Sequence, residues 1–355
     1  MKILLVRLRM IGDVVFTTPA IRALRRRYPH ARLSYIVEQE AAPVVLGNPH
    51  LDEVIVAVDR RAPGRLGADL ALIRRLRREK YDLAIDLHGG PRSSLLTWAS
   101  GAPQRIGFNV AGRSWMYTTR VARPRALRPR HSVDTQWDLL LPLGISPPDR
   151  ETDPTEMPED PAAAAAVDRR LRDAGVNGAA PLVVVHVSAG NPFRRWPVDS
   201  FVELICKLAA ADSSRRIIIT SGPSDATAAA IVEERARARL GPALREAVLQ
   251  VGEFNLVELR ALIGRASLYI GGDSGPLHIA GTTTVPVVGL YGPTLPVRSQ
   301  PWRSSSFISE AAEAGELPCR PCNQRRCVPG DFRCLTGISA EIVAGLAERA
   351  MAGGH

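Results

Sequence analysis

Residues 268–280 read LYIGGDSGPLHIA, and this stretch decides the class of fold. An apolar run ends at Ile270, two glycines follow, and a helical pattern begins near Pro276, which together predict a strand, a tight turn and a helix. The backbone N–H groups of Ser274, Gly275 and the first helical turn would then point at one spot. Such an arrangement is typical of an anion site for a diphosphate.

Two further side chains of this stretch bear on the same interpretation. His278 can add an imidazole to the predicted anion site, beside the hydroxyl of Ser274. Asp273 would repel a phosphate, so we expect it to cap the helix or to orient the loop.

Two more polar loops follow predicted strands in this half of the chain. The first strand leads into Ser188 and then to Arg194 and Arg195, which suit a phosphate. The next strand leads to Asp225, which could accept hydrogen bonds from ribose hydroxyls. Because the carboxyl ends of parallel strands meet at one edge of a sheet, the three loops together predict a nucleotide-sugar pocket.

The rest of the chain repeats this alternation of strands and helices. Strands near residues 3–8, 33–37, 54–58 and 83–87 alternate with helical patterns such as Leu70–Lys80, which predicts a parallel sheet covered on both faces. The segment Ser146–Pro161 carries five prolines and reads as a linker. We therefore predict an α/β protein of two Rossmann-like domains, residues 1–160 and 161–355, whose sheets face a cleft.

The first predicted strand leads into the sequence RMIGDVV, residues 9–15. We expect Gly12 to allow a tight turn that places Asp13 at the mouth of the first sheet. There the carboxylate could cap the following helix or act as a general base that faces the cleft. The motif is not GxGxxG, which argues against a nicotinamide-dependent dehydrogenase.

Positive charge is concentrated in the first half of the chain. The net charge is +10, and residues 60–130 carry sixteen Lys or Arg against four Asp or Glu. Such a surface attracts polyanions, although the dominance of Arg over Lys would also follow from a high-GC genome. Aromatic residues make up only 5% of the chain and do not alternate with basic ones, which argues against a nucleic-acid-binding protein.

The start of the chain gives no sign of export. Its apolar run is interrupted by Arg7, Arg9 and Asp13, unlike a signal peptide. No apolar run reaches the roughly 18 residues that a membrane-spanning helix needs. We therefore expect a cytoplasmic protein.

Four cysteines lie close together with the spacing C-x2-C-x4-C-x6-C, at Cys319, Cys322, Cys327 and Cys334. Four thiolates could hold a structural zinc ion, but the paired CxxC…CxxC signature is missing. Reduced thiols that pack in a loop, or disulfides formed on isolation, are the alternatives. In each case we expect a local clasp and no catalytic metal.

Several stretches resemble glycosyltransferase family 9, the ADP-heptose:lipopolysaccharide heptosyltransferases, which have the GT-B fold. They are KILLVRLRMIGDVVFTTPAIRALRRRYP at 2–29, DLAIDLHGG at 82–90, SAGNPFRRWP at 188–197, GGDSGPLHIAGTTTVPVVGLYGPTLP at 271–296 and the cysteine-rich segment. The resemblance implies a catalytic carboxylate at Asp13. It also implies that Arg194 stands where the family usually has Lys, and Arg keeps the charge but fills more volume.

The resemblance further implies the reaction and its partners. Heptose would pass, with inversion and without a cofactor, from ADP-heptose to the inner core of a lipopolysaccharide precursor. The loops and the resemblance together give these donor-binding residues: Ser188, Arg195, Asp225, Asp273, Ser274, Gly275 and His278. We expect an acidic acceptor of the Kdo-lipid A type, at the inner membrane surface, to be held by four arginines: Arg60, Arg61, Arg92 and Arg120. A transferase of another sugar and a GT-B-fold sugar-nucleotide epimerase are the alternatives, and the arginine-rich region argues against the epimerase.

Overall fold

The computed structural model describes residues 1–59, 61–123, 129–176, 178, 180–187, 192–322 and 326–353. It divides the chain into two compact units, Met1–Pro158 and Glu159–His355. The division falls inside the proline-rich segment that the sequence marks as a linker.

The first unit is built on one parallel sheet. Its described strands are β1 (Lys2–Val6), β2 (Arg32–Glu38), β3 (Glu53–Ala57), β4 (Leu83–Asp86), β5 (Gln104–Phe108) and β6 (Thr119–Val121). Its described helices are α1 (Ile11–Val15), α2 (Thr18–Arg27), α3 (Arg65–Glu79), α4 (Pro91–Ala99) and α5 (Ser132–Trp137), with 3-10 turns at Ala42–Val44, Ser114–Met116 and Leu141–Leu143. The strand order is β3-β2-β1-β4-β5-β6, which is the order of a dinucleotide-binding Rossmann fold.

The second unit repeats this plan. Its described strands are β7 (Leu182–His186), β8 (Arg216–Thr220), β9 (Val248–Leu249), β10 (Leu268–Gly272), β11 (Val287–Leu290) and β12 (Ser309–Ala312). Its described helices are α6 (Pro161–Asp173), α7 (Val198–Ala211), α8 (Ala226–Leu244), α9 (Leu256–Gly264), α10 (Gly275–Ala280), α11 (Pro296–Ser299), α12 (Arg333–Thr336) and α13 (Ala340–Ala352), with 3-10 turns at Pro192–Arg194 and Arg245–Ala247. The strand order β12-β11-β10-β7-β8-β9 is the same Rossmann order read from the other edge.

The strands are continuous apolar runs because helices cover both faces of each sheet. Every residue of β7, LVVVH, is buried, and so is every residue of β4. On one face of the second sheet, Val183 and Val185 of β7 pack with α7 and α13 in a single apolar cluster. The predicted α/β architecture of two Rossmann-like sheets is therefore confirmed.

Local signals set the helix ends. Asn255 caps α9, since its side-chain oxygen accepts the N–H groups of Val257 and Glu258 at 3.1 and 3.0 Å. The Glu258 carboxylate accepts the Asn255 N–H at 2.9 Å and completes a capping box. No helix among the described residues is long and apolar enough to cross a membrane.

Two local predictions were wrong. Helix α3 begins at Arg65, a turn before the predicted Leu70, and the Leu70 side chain is 54% exposed. Gly12 lies inside α1, and the tight turn falls on Met10, which has φ 71°. A non-glycine residue in that region stores strain, and such strain is common beside functional sites.

His186, at the end of β7, makes the second unit sensitive to acid. Burial lowers the pKa of its imidazole to about 4, against about 6.5 in an unfolded chain. The folded state thus favours the neutral ring. This preference adds fully to the free energy of unfolding above pH 6.5, and the added stability is lost as the pH falls toward 4. Nδ1 lies 2.9 Å from the Thr220 hydroxyl.

We predict that His186→Asn loses this part of the pH dependence. In wild type, moving from pH 7 to pH 5 should cost the second unit about 2 kcal/mol through His186 alone. Urea unfolding at pH 7 and at pH 5 gives the free energy of unfolding at each pH. The difference between the two values should be smaller in the variant than in wild type by about 2 kcal/mol. The exposed His30→Asn is the control and should behave as wild type. If the free energy of unfolding changes between pH 7 and pH 5 as much in His186→Asn as in wild type, His186 is not the source of this pH dependence.

Candidate functional site

Each sheet has one place where the strand order reverses, and several of the candidate residues follow the strands beside it. In the first sheet the reversal is between β1 and β4, and in the second it is between β7 and β10. At such a point the two following loops part in opposite directions and leave a crevice beyond the strand ends. The segments that follow β1 and β4 carry Asp13 and His88, while those that follow β7 and β10 carry Arg194, Asp273 and His278.

Asp13 lies in the first turn of α1 and does not cap it, because the N-cap position is Met10 and no side chain caps the helix there. The Asp13 carboxylate is 39% exposed and forms an ion pair with the Arg7 guanidinium. Arg7 is buried and also donates to the Leu87 carbonyl at 2.8 Å. A buried cation thus fixes a partly exposed carboxylate at the mouth of the first crevice.

Asp86, the last residue of β4, organises the loop that faces Asp13. It is fully buried, and its carboxylate accepts the N–H groups of His88 and Gly89 at 2.9 and 2.8 Å. It also accepts the Tyr117 hydroxyl at 2.6 Å and, from α4, the hydroxyls of Ser93 and Ser94 at 3.1 and 3.2 Å. Burial, and next the nearby Asp86 charge, raise the pKa of Tyr117 far above its usual range, so the phenol stays a donor.

His88 was not among the predicted site residues, although it stands within the quoted stretch DLAIDLHGG. Burial and, next, the charges of Arg7 and Arg9 lower the pKa of its imidazole to about 4. Its Nδ1 accepts the Leu8 N–H at 3.4 Å. His88 is therefore neutral at physiological pH, with its proton on Nε2, and can donate a hydrogen bond beside Asp13.

Asp273 gathers the polar groups of the second crevice. It is buried, and it accepts the hydroxyl of Thr294. Its two oxygens lie 3.4 Å from Nη1 of Arg194 and 3.6 Å from Nε2 of His278. Ser274, not Asp273, occupies the N-cap position of α10. Asp273 therefore does not cap α10, and its carboxylate lies beside the Arg194 and His278 side chains.

Arg195 and Asp225 form a second charged pair in this unit. The Asp225 side chain is buried, and it also accepts the Ser224 hydroxyl at 3.0 Å. Its charge is thus already matched within the protein, so a ribose would have to share this carboxylate with Arg195.

The four arginines predicted to hold an acceptor differ in their surroundings. Arg61 and Arg120 are exposed. Arg92 is mostly buried and binds the carboxylates of Glu38 and Asp69, each at 2.6 Å, and the Val58 carbonyl at 2.9 Å. Its positive charge is therefore offset by two acids, and it joins α4 to α3. Arg60 and Ser188 lie outside the described residues.

Cys319, Cys327 and Cys334 are free cysteines. Burial, and next the neighbouring Cys319 and Cys327, raise the pKa of Cys334. Within the described part of the chain, no three or more His, Cys, Asp or Glu side chains are grouped so that they could hold a metal ion. A structural zinc ion at the four cysteines is therefore not confirmed.

Known proteins match the chain over most of its length. The family model described as glycosyltransferase family 9 (heptosyltransferase) matches residues 70–330. Lipopolysaccharide heptosyltransferase 3 of Escherichia coli strain K12 is 30% identical over 319 residues, covering 88% of this chain and 89% of that protein.

Solved structures match the fold of the chain as well. The crystal structure of a family 9 glycosyltransferase from Veillonella parvula is 24% identical, covers 99% of this chain and 97% of its own, and has a TM-score of 0.84. ADP-heptose lps heptosyltransferase II of E. coli is 19% identical, covers 99% of both chains, and has a TM-score of 0.75.

We predict that Asp86→Asn destabilises the first unit by about 1–3 kcal/mol, because an amide turns its NH2 toward donors and leaves them unsatisfied. Tyr117→Phe removes a single donor and should cost less, about 1 kcal/mol. Chemical denaturation should show a larger loss in the free energy of unfolding for Asp86→Asn than for Tyr117→Phe. Equal stability of wild type and Asp86→Asn would show that the network does not hold the loop.

Proposed function

The chain belongs to glycosyltransferase family 9, and we propose that it transfers heptose from ADP-heptose to the inner core of a lipopolysaccharide precursor. The observation that carries the proposal is the Asp13 carboxylate, held by Arg7 at the reversal point of the first sheet. The names of the matched relatives support the choice of sugar and acceptor. The protein would work in the cytoplasm, at the inner face of the cytoplasmic membrane.

Asp13 acts in this proposal as the general base. Its carboxylate takes the proton of an acceptor hydroxyl, and that oxygen attacks the anomeric carbon of the donor from the side opposite the phosphate. A new glycosidic C–O bond forms while the bond to the phosphate oxygen breaks, so the configuration inverts. Arg7 keeps the carboxylate oriented, and the neutral His88 donates a hydrogen bond to the acceptor sugar.

Arg194 and His278 act on the leaving group. As the bond to the anomeric carbon breaks, negative charge grows on the ADP phosphate, and a fixed cation and a hydrogen-bond donor stabilise it. Asp273 holds these two side chains in place. Ser274, the N-cap of α10, and Gly275, the first residue of that helix, would add donors to the diphosphate, as would Ser188. Transfer in this scheme needs no cofactor.

Arg195 and Asp225 would complete the donor site as a pair. Arg195 supplies positive charge near the phosphates, and Asp225 accepts a ribose hydroxyl while it remains bound to the guanidinium. On the acceptor side, Arg61 and Arg120 are exposed and suit the acidic groups of a Kdo-lipid A type glycolipid. Arg60 would join them, whereas Arg92 would act mainly by positioning α4.

We predict that Asp13→Asn lowers turnover by about 100-fold or more, the usual size of a general-base effect. The affinity for ADP, measured by calorimetry, should stay unchanged because the donor binds to the second unit. Asp173→Asn, which neutralises an exposed carboxylate, is the matched control and should keep full turnover. Near-normal turnover of Asp13→Asn would mean that another group removes the proton.

Arg194→Ala should weaken ADP binding by about 10- to 100-fold, because a charge-assisted phosphate contact contributes roughly 1.5–3 kcal/mol. Arg194→Lys should lose less, since it keeps the charge. Arg235→Ala is the control, because Arg235 is exposed on α8 and pairs with the exposed Asp199. If calorimetry shows unchanged ADP affinity in Arg194→Ala, the phosphate contact is made by Arg195 and not by Arg194.

A further inference from the structure

Two tryptophans lie exposed side by side on the first unit. Trp98 on α4 is 39% exposed and Trp115 in the 3-10 turn 114–116 is 57% exposed. Their ring centroids are 5.5 Å apart with the ring planes at 69°. Leu95, one helical turn before Trp98, is exposed on the same face of α4. The other three tryptophans of the chain, Trp137, Trp196 and Trp302, are buried.

We call these three residues, Leu95, Trp98 and Trp115, the aromatic patch. Contacts within the protein itself hold its side chains in place. The Trp115 indole N–H donates to the Gly112 carbonyl at 3.2 Å. The edge-to-face contact of the two rings favours one mutual orientation. Large apolar side chains that cluster on a surface in this way mark an interaction site more often than scattered single ones do.

The part of the sequence that carries the aromatic patch is rich in arginine. Residues 87–130 contain eight arginines and no Asp or Glu, although Arg92 and Arg130 are paired with acids from other parts of the chain. Arg77 donates to the Ala99 carbonyl at the end of α4, at 3.0 Å, and Arg105 donates to the Met116 carbonyl at 2.8 Å. These two guanidinium groups thus bind the carbonyls of the residues that directly follow Trp98 and Trp115 in the chain.

Indole rings next to arginines suit one environment especially well. Tryptophan prefers the headgroup level of a bilayer, where its ring is apolar and its N–H remains hydrated. Arginines are drawn to the anionic lipids of the same surface. A nucleic acid would use the charge and the rings but would leave the aliphatic Leu95 without an apolar partner. The combination therefore favours a lipid surface.

We propose that the aromatic patch and its flanking arginines dock this protein on an anionic lipid bilayer. The inference extends the proposed function, since a glycolipid acceptor would be presented by such a surface. It does not depend on the donor, on Asp13 or on the identity of the transferred sugar.

The test uses vesicles of phosphatidylethanolamine and phosphatidylglycerol that contain no glycolipid, with the full-length protein and no nucleotide. Wild type should co-sediment with them, and its tryptophan emission should shift to the blue because only Trp98 and Trp115 are open to solvent. The double variant Trp98→Ser/Trp115→Ser should bind about tenfold or more weakly, because two large apolar side chains no longer enter the interface. Ile342→Ser, which removes an exposed apolar residue of α13, is the control and should bind as wild type.

Further measurements separate the alternatives. Vesicles of phosphatidylcholine alone should bind wild type weakly if the arginines contribute as proposed. Equal binding of the double variant and wild type, or no binding of wild type to anionic vesicles, would overturn the proposal. A dimer in sedimentation velocity that the double variant abolishes would assign the patch to a second copy of the chain instead. Turnover of a water-soluble acceptor should be the same in the double variant and wild type, so a failure on vesicles would leave the proposed transferase activity standing.

Discussion

The reversal of strand order within each parallel sheet is the constraint on which the other features depend. Between β1 and β4, and again between β7 and β10, successive crossovers cover opposite faces, so the loops diverge and leave a crevice beyond the strand ends. Polar and charged side chains can lie there without being buried among apolar ones. Asp13 and His88 follow the strands beside the first reversal, and Arg194, Asp273 and His278 follow the strands beside the second.

A buried carboxylate organises each crevice. Asp86 ends the fourth strand of the first sheet, and Asp273 follows the fourth strand of the second. Each would cost much free energy if it were buried alone, and each instead accepts several hydrogen bonds or lies beside a cation. As a result, Asp86 fixes the backbone at His88, and Asp273 holds the side chains of Arg194 and His278. Each unit thus positions its site residues with a buried carboxylate, and the roles proposed for the two sites differ.

Much of the fold could be predicted from local signals, and the errors have local causes. Continuous apolar strands, the Asn255 capping box and the proline-rich linker are short-range features, and the structure shows strands, a cap and a division of the chain at those places. The start of α3 was predicted too late because Leu66 is exposed and the helix has no amphipathic pattern in its first turn. The turn at Met10 was assigned to Gly12 because glycine is the usual residue for a positive φ.

The sequence by itself determined the α/β class, the two-part organisation and the strand-following segments that carry Asp13, Arg194, Asp273 and His278, because periodicity and strand-end position are properties of neighbouring residues. Only the tertiary structure decided which charges meet. It joined Arg7 to Asp13 and Arg195 to Asp225, neutralised Arg92 with two acids, and brought Tyr117 to Asp86 across 31 positions. It also placed Trp98 against Trp115 on the surface while it buried the other three tryptophans. Contacts of this kind depend on which strands become neighbours and which helix face is covered, and no local pattern of residue types encodes them.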